Sequence, residues 1–88
     1  MRYFPETIAT EIAEDLDGVA YPARNIDGDV VGLRFDCADL TARGEFLELL
    51  ADSYCDANPA PLAIVLSDLR RAAALDHHGL TINGLTLV

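Results

Sequence analysis

The side chains best suited to chemistry are Cys37, Cys55, His77 and His78, with Ser67 and Asp68 a short way before the histidines. Two thiols and two imidazoles match zinc's preferences, but structural zinc sites use paired ligands at short spacing, such as C-x-x-C, and no such pair occurs. Adjacent histidines diverge by roughly 100° on a helix and seldom share a metal. At the end of a helix, His77 and His78 would instead meet the negative pole of its dipole. Ser67, Asp68 and a histidine supply the members of a hydrolase triad without the G-x-S-x-G turn that presents the nucleophile. Phosphate loops of the G-x-G-x-x-G or G-x-x-x-x-G-K-[ST] type are missing, and Asp27-Gly28-Asp29 is too short for a calcium loop. A pair of catalytic carboxylates needs a cleft, for which 88 residues leave little room. These patterns predict a non-enzymatic protein with no metal or cofactor. Two cysteines are too few for a disulfide framework and are expected as free thiols.

Carboxylates remain, and their chemistry is docking. Over residues 40–56, at 100° per residue, Glu45, Glu48, Asp52 and Asp56 fall within roughly 80° of one another. Phe46, Leu47, Leu50 and Tyr54 gather on the opposite side, which describes a helix with one face in a core and a narrow acidic ridge in water. The helix carries no cation among the four, although like charges at this spacing repel by a few tenths of a kcal/mol (~0.2–0.5) per pair. Leu49 projects beside the ridge and Cys55 borders its other flank. Glu11, Glu14 and Asp15 form a second acidic patch on an earlier helix. Acids with an apolar neighbour suit an arginine-rich surface, pairing charge with some area burial. Carboxylates one helical turn apart also resemble the phosphates along a nucleic-acid strand.

Local signals define the elements that must carry these residues. A first helix is expected from Pro5 to Leu16 or Asp17, with proline at its first position, Glu6 at the positive end and Gly18 as its stop. Ile8, Ala9, Ile12, Ala13 and Leu16 form its apolar stripe. Residues 1–4 are a short strand or an apolar lead-in. Residues 19–24 and 30–35 form a hairpin in which Pro22 marks the first strand as an edge or a bulged strand. A two-residue turn at Asp27-Gly28 would pair Val31, Leu33 and Phe35 with Arg24, Pro22 and Ala20, whereas a three-residue loop 26–28 with Gly28 left-handed pairs them with Ala23, Tyr21 and Val19. The second gives one apolar face and is the expected register. Asp39 or Thr41 caps the ridge helix. A third helix is expected from Pro59 to His78, capped by Asn58, with Leu62, Val65, Leu66, Leu69, Ala72 and Ala73 inward. The alternative is a buried strand over 62–66 followed by a shorter helix capped by Ser67. Residues 80–88 signal a second hairpin turning at Asn83-Gly84, with Ile82 opposite Leu85 and Leu80 opposite Leu87. The expected architecture is a single α+β domain over residues 1–88. Three helices pack against a small antiparallel sheet built from two β-hairpins.

Six arginines, no lysine and fifteen acids give a formal charge of −9. Residues 1–56 hold thirteen of the acids and four of the arginines, so they carry all of it, and residues 57–88 are neutral. Direct nucleic-acid binding needs clustered cations, and only Arg70-Arg71 is even a pair. A cationic protein surface is the partner that such a charge steers towards. No apolar run approaches the ~20 residues of a membrane span, and the N-terminus lacks the form of a secretion signal. A cytoplasmic location is the default expectation.

In size, acidity and lack of a catalytic motif the chain resembles small phage or mobile-element inhibitors, including anti-CRISPR proteins, and equally immunity proteins and antitoxins. The likeness is one of composition and assigns no residue a role. It implies a module that binds and inhibits or masks a basic surface, such as that of a nucleic-acid-binding protein. Glu45, Glu48, Leu49, Asp52, Asp56, Glu11, Glu14 and Asp15 are the expected contacts. The alternative is an assembly subunit that forms a homodimer through its neutral C-terminal segment.

Overall fold

The computed structural model describes residues 2–88. In chain order the elements are β1 (Arg2–Phe4), α1 (Glu6–Asp15), β2 (Val19–Arg24), β3 (Val30–Asp36), α2 (Leu40–Ala57), α3 (Leu62–Ala72), β4 (Ala73–Leu75), β5 (Gly79–Asn83) and β6 (Leu85–Leu87). An antiparallel sheet of order β2-β3-β5-β4 is accompanied by a parallel pair, β1-β6. The class is α+β with three helices, as expected. The sheet is not the pair of hairpins anticipated.

Helix positions follow their local signals closely. α1 starts after Pro5 and buries Ala9, Ile12 and Ala13. Its stop differs in detail, because the left-handed residue is Asp17 (φ 57°). Gly18 is needed for a close approach, since a Cβ there would lie 2.4 Å from the Phe35 ring. Asp39 caps α2, its carboxylate accepting from the Thr41 N–H at 2.9 Å. Ala42, Phe46, Leu47, Leu50 and Ala51 form the buried stripe of α2. Phe46 stacks on Phe35 with ring centroids 4.0 Å apart. Leu33, Phe35, Leu80 and Ile82 from the sheet join residues of all three helices, Phe4 and Leu85 in one cluster.

The β2–β3 register corrects the expected one and follows the two-residue-turn alternative at Ala20 and Pro22, though not at Arg24, which pairs with Val30. Ala20 pairs with Phe35 and Pro22 with Leu33, so Ala20 and Pro22 face the core while Val19 and Tyr21 face out. A bulge between Ala23 and Arg24 shifts the pairing before the turn. The loop runs over residues 25–29, held by the Asn25 side chain accepting from the N–H groups of Asp27 and Asp29. Gly28 is left-handed (φ 85°), as anticipated. Choosing the most apolar pairing misplaced the strand because the small Ala20, not Val19, packs against the core beside Phe35, and β2 is the edge strand that Pro22 implied.

The last third departs most. α3 begins after Pro61, and Asn58 closes α2 instead of capping α3, its N–H and Nδ2 both donating to the Tyr54 carbonyl. Leu62 is half exposed, and α3 ends at Ala72. Ala73–Leu75 then turns into β4 and pairs with Leu80–Ile82 of β5, forming the second hairpin. His77 and His78 therefore lie in the β4–β5 turn, not at a helix end. Neither the long helix nor a strand over 62–66 forms. The turn at Asn83-Gly84 is present, with Gly84 at φ 79°, but it joins no hairpin. β5 already has β3 on one side and β4 on the other, so β6 finds no free edge there and pairs instead with β1.

Two glycines fix the β3–β5 joint. A Cβ at Gly79 would lie 2.0 Å from the Phe35 carbonyl oxygen, and one at Gly32 would lie 2.2 Å from that of Ile82. They stand at opposite ends of the paired stretch, Gly79 opposite Asp36 and Gly32 opposite Asn83.

Candidate functional site

On α2, Glu45, Glu48, Asp52 and Asp56 are all exposed along one side, opposite the buried stripe. Leu49 stands beside them at 39 % exposure, and Cys55 is half-buried at their flank. The ridge does meet one cation, supplied from another helix: Arg70 Nη2 approaches Glu48 Oε1 at 3.7 Å. Both groups are more than half exposed. Such a pair contributes at most ~1 kcal/mol and weakens with salt. Among the described residues Glu45, Asp52 and Asp56 make no ion pair.

Glu11, Glu14 and Asp15 are likewise exposed on α1. Glu11 and Glu14 border an open depression with Glu6, Thr7, Thr10 and Val88, which neither Asp15 nor any α2 residue lines. The two acidic patches thus stand on separate grounds.

A polar network on the outer face of the sheet was not foreseen. Arg34, in the middle of β3, donates from Nε to Asp36 Oδ1 (2.7 Å) and from Nη1 and Nη2 to the two Asp76 oxygens (2.6 and 2.8 Å). Its Nη1 also reaches Thr81 Oγ1 at 3.2 Å, and the Tyr21 hydroxyl donates to Asp36. Asp76 Oδ1 further accepts the N–H groups of His78 and Gly79, closing the β4–β5 turn. The bidentate Arg34 guanidinium, then the His78 N–H, hold the Asp76 carboxyl well below the usual range. Burial pushes Asp36 upward, but hydrogen bonds from Tyr21 and Arg34 outweigh it and leave the group lowered. The hydrogen bond to Asp36 raises Tyr21, and the Asp76 hydrogen bonds raise Arg34 against its own desolvation. Among the described residues no Ser, Cys or His side chain enters the network. It clasps β2, β3, β5 and the turn together.

This clasp sets a pH dependence. Both aspartates have folded values below their unfolded ones (~3.9 for Asp), so their contribution is present above that pH and disappears as pH falls through the folded values. Tyr21 acts at the other limit, its contribution being present below ~10 and lost as pH rises further. The melting temperature of Asp76→Asn should therefore fall less steeply than that of the parent below about pH 4. Parallel acid limbs for the two proteins would show that Asp76 is not held in its charged form.

Arg43 was also missed. It lies on the buried stripe of α2, 4 % exposed, and donates from Nε to the Cys37 carbonyl (2.8 Å) and from Nη1 to the Asp76 carbonyl (2.7 Å). Its place was visible in the spacing, since Phe46, Leu47 and Leu50 follow it at three, four and seven residues.

Cys37 and Cys55 are free thiols, and Cys37 Sγ donates towards the Leu16 carbonyl at 3.7 Å. His77 and His78 are exposed. Among the described residues no group of three or more His, Cys, Asp or Glu is placed to hold a metal ion, and no helix is long and apolar enough to cross a membrane. No known protein family, curated protein or solved structure matches the chain.

Proposed function

We propose that the protein is a non-enzymatic acidic interaction module that docks on a basic protein surface through the outer face of α2 and inhibits or masks it. The reading rests on one observation: among the described residues Glu45, Asp52 and Asp56 stand without ion partners along a helix whose opposite face is anchored in the core, with exposed Leu49 alongside. An anchored helix presents its charges with little ordering cost on binding. Glu48 joins this row after giving up its loose contact with Arg70. Glu11, Glu14 and Asp15 supply a second patch for steering. A nucleic-acid-binding protein is the preferred partner class, because one-turn carboxylate spacing suits a groove that normally holds phosphates. Small phage inhibitors and immunity or antitoxin proteins act in this general way.

With a partner isolated at low salt, binding should weaken steeply as ionic strength rises. The Glu45→Arg, Asp52→Arg double variant should fold as the parent does and bind about tenfold or more weakly, chiefly through a slower association rate. Unchanged affinity in that folded variant would remove the proposal.

The second reading is self-association. Leu62, Ile64, Leu75 and Val88, all from the neutral segment, are exposed, and β4 is an edge strand. Light scattering over a dilution series separates the two, since a dimer that persists at high salt favours this reading.

A further inference from the structure

Between the first turns of α2, the end of α3 and β4 lies an open cleft of about 330 Å³, lined among others by Arg43, Gly44, Leu47, Arg70, Leu75 and Leu80. We propose that this cleft binds a small apolar monocarboxylate, an aliphatic chain or ring carrying one negative charge. The proposal does not depend on the acidic face of α2.

Three observations carry it. The first is composition: the lining is apolar apart from two arginines, and none of it is acidic, in a chain whose net charge is −9. Its volume lies at the lower end of the ~300–1,000 Å³ of small-ligand sites. The second is Arg43. A guanidinium that is 4 % exposed normally has a carboxylate beside it, yet this one is held by two backbone carbonyls and makes no ion pair among the described residues. The wall of the cleft thus carries a positive charge that two carbonyl dipoles, but no carboxylate among the described residues, offset. Arg70 adds a second at the exposed end, and its own partner, Glu48, is 3.7 Å away and readily exchanged.

The third observation is Gly44. It stands inside α2, where glycine is the poorest helix former after proline. A Cβ there would meet nothing within 4 Å, and its φ is not positive. Neither packing nor backbone conformation calls for glycine at this position. What its missing side chain does is leave open the cleft that it lines.

A ligand with an apolar body and an anionic head fits all three. The chain would cover Leu40 and Leu75, the exposed apolar residues of the lining, with Leu47 and Leu80 forming the buried floor, and the carboxylate would sit in the field of Arg43 and within reach of Arg70. An apolar cation of equal size would be repelled by the same pair.

The test is a titration of isotope-labelled protein with sodium octanoate, followed by amide chemical shifts, with octylammonium as the charge-reversed control. Octanoate should give saturable shifts centred on Gly44, Leu47, Ala73 and Leu75, and octylammonium should bind about tenfold more weakly or not at all. Gly44→Leu should raise the thermal midpoint, because it removes a helix-interior glycine, and abolish octanoate binding by filling the cleft. Arg70→Gln should weaken binding about threefold, and Arg71→Gln, whose partner is Asp68, should leave it unchanged. Equal binding of the two amphiphiles, undiminished binding by folded Gly44→Leu, or no saturable shift would each overturn the proposal. Absence of octanoate binding together with a concentration-dependent dimer would assign the cleft to a second copy of the chain.

Discussion

Gly79→Ala should cost the protein about 3 kcal/mol or more, at the upper end of what one added methyl group does in a packed interior. The added Cβ would stand 2.0 Å from the Phe35 carbonyl oxygen, and that atom belongs to the backbone of the neighbouring strand. A flexible side chain could turn aside, but a ladder carbonyl moves only if β3 and β5 separate. Their separation would undo the pairings from Phe35–Leu80 to Gly32–Asn83 and expose Leu33 and Ile82, which are fully buried. It would also displace the Gly79 N–H that Asp76 holds. A domain of this size melts roughly 4–8 °C lower for each kcal/mol, so a fall of ~12 °C or more is expected in a thermal scan. A midpoint within a degree or two of the parent would mean that β3 and β5 pair in a different register.

Arg43→Met is the second large effect, expected at about 2–4 kcal/mol. Methionine keeps much of the packing volume of the stem and removes a buried cation, which by itself is favourable. Against this, the carbonyls of Cys37 and Asp76 lose their donors together, and each part-buried acceptor left unmet costs ~1–3 kcal/mol. Arg43→Lys should not restore the loss, because one ammonium cannot reproduce two donors held in a rigid fork. Amide hydrogen exchange gives the distinguishing readout. Protection should fall first over residues 76–79, where the guanidinium ties the β4–β5 turn to α2, while the α1 amides stay protected. Uniform loss of protection would show that Arg43 contributes only to global stability.

The parts of the fold that could be foreseen are those whose signals are local. The buried and exposed faces of α2 follow from a 3.6-residue period over 18 residues, and Asp39 sits where a cap is needed. The ridge acids are exposed for the same reason. The C-terminal third obeys non-local terms. Ala72, Ala73 and Ala74 favour continuing a helix, yet Ala73–Leu75 gains a ladder with β5 and burial beside Ile82 and Leu80. One local clue was present, because Asp76 and Gly79 stand at the first and fourth positions of a β-turn, where those residue types are favoured. The Asn83-Gly84 signal identified a turn correctly, but strand order decides what a turn connects. The clasp joins Arg34 to a residue 42 positions later, a separation that no periodicity reports. Arg43 was readable on the helix wheel, though its carbonyl partners were not.

The pairing of β1 with β6 has a mechanical consequence. The strands run parallel, with Arg2 beside Leu85 and Phe4 beside Leu87, and the join is extended by Val88 donating to Phe4 and Glu6 donating to Val88. Tension applied at the two ends of the described chain would pull β1 and β6 in opposite directions along their common axis. The hydrogen bonds between them would then bear the load together, in shear, instead of opening one after another. Such a clamp resists force out of proportion to its three residue pairs, and the interior of the domain stays shielded until the clamp slips.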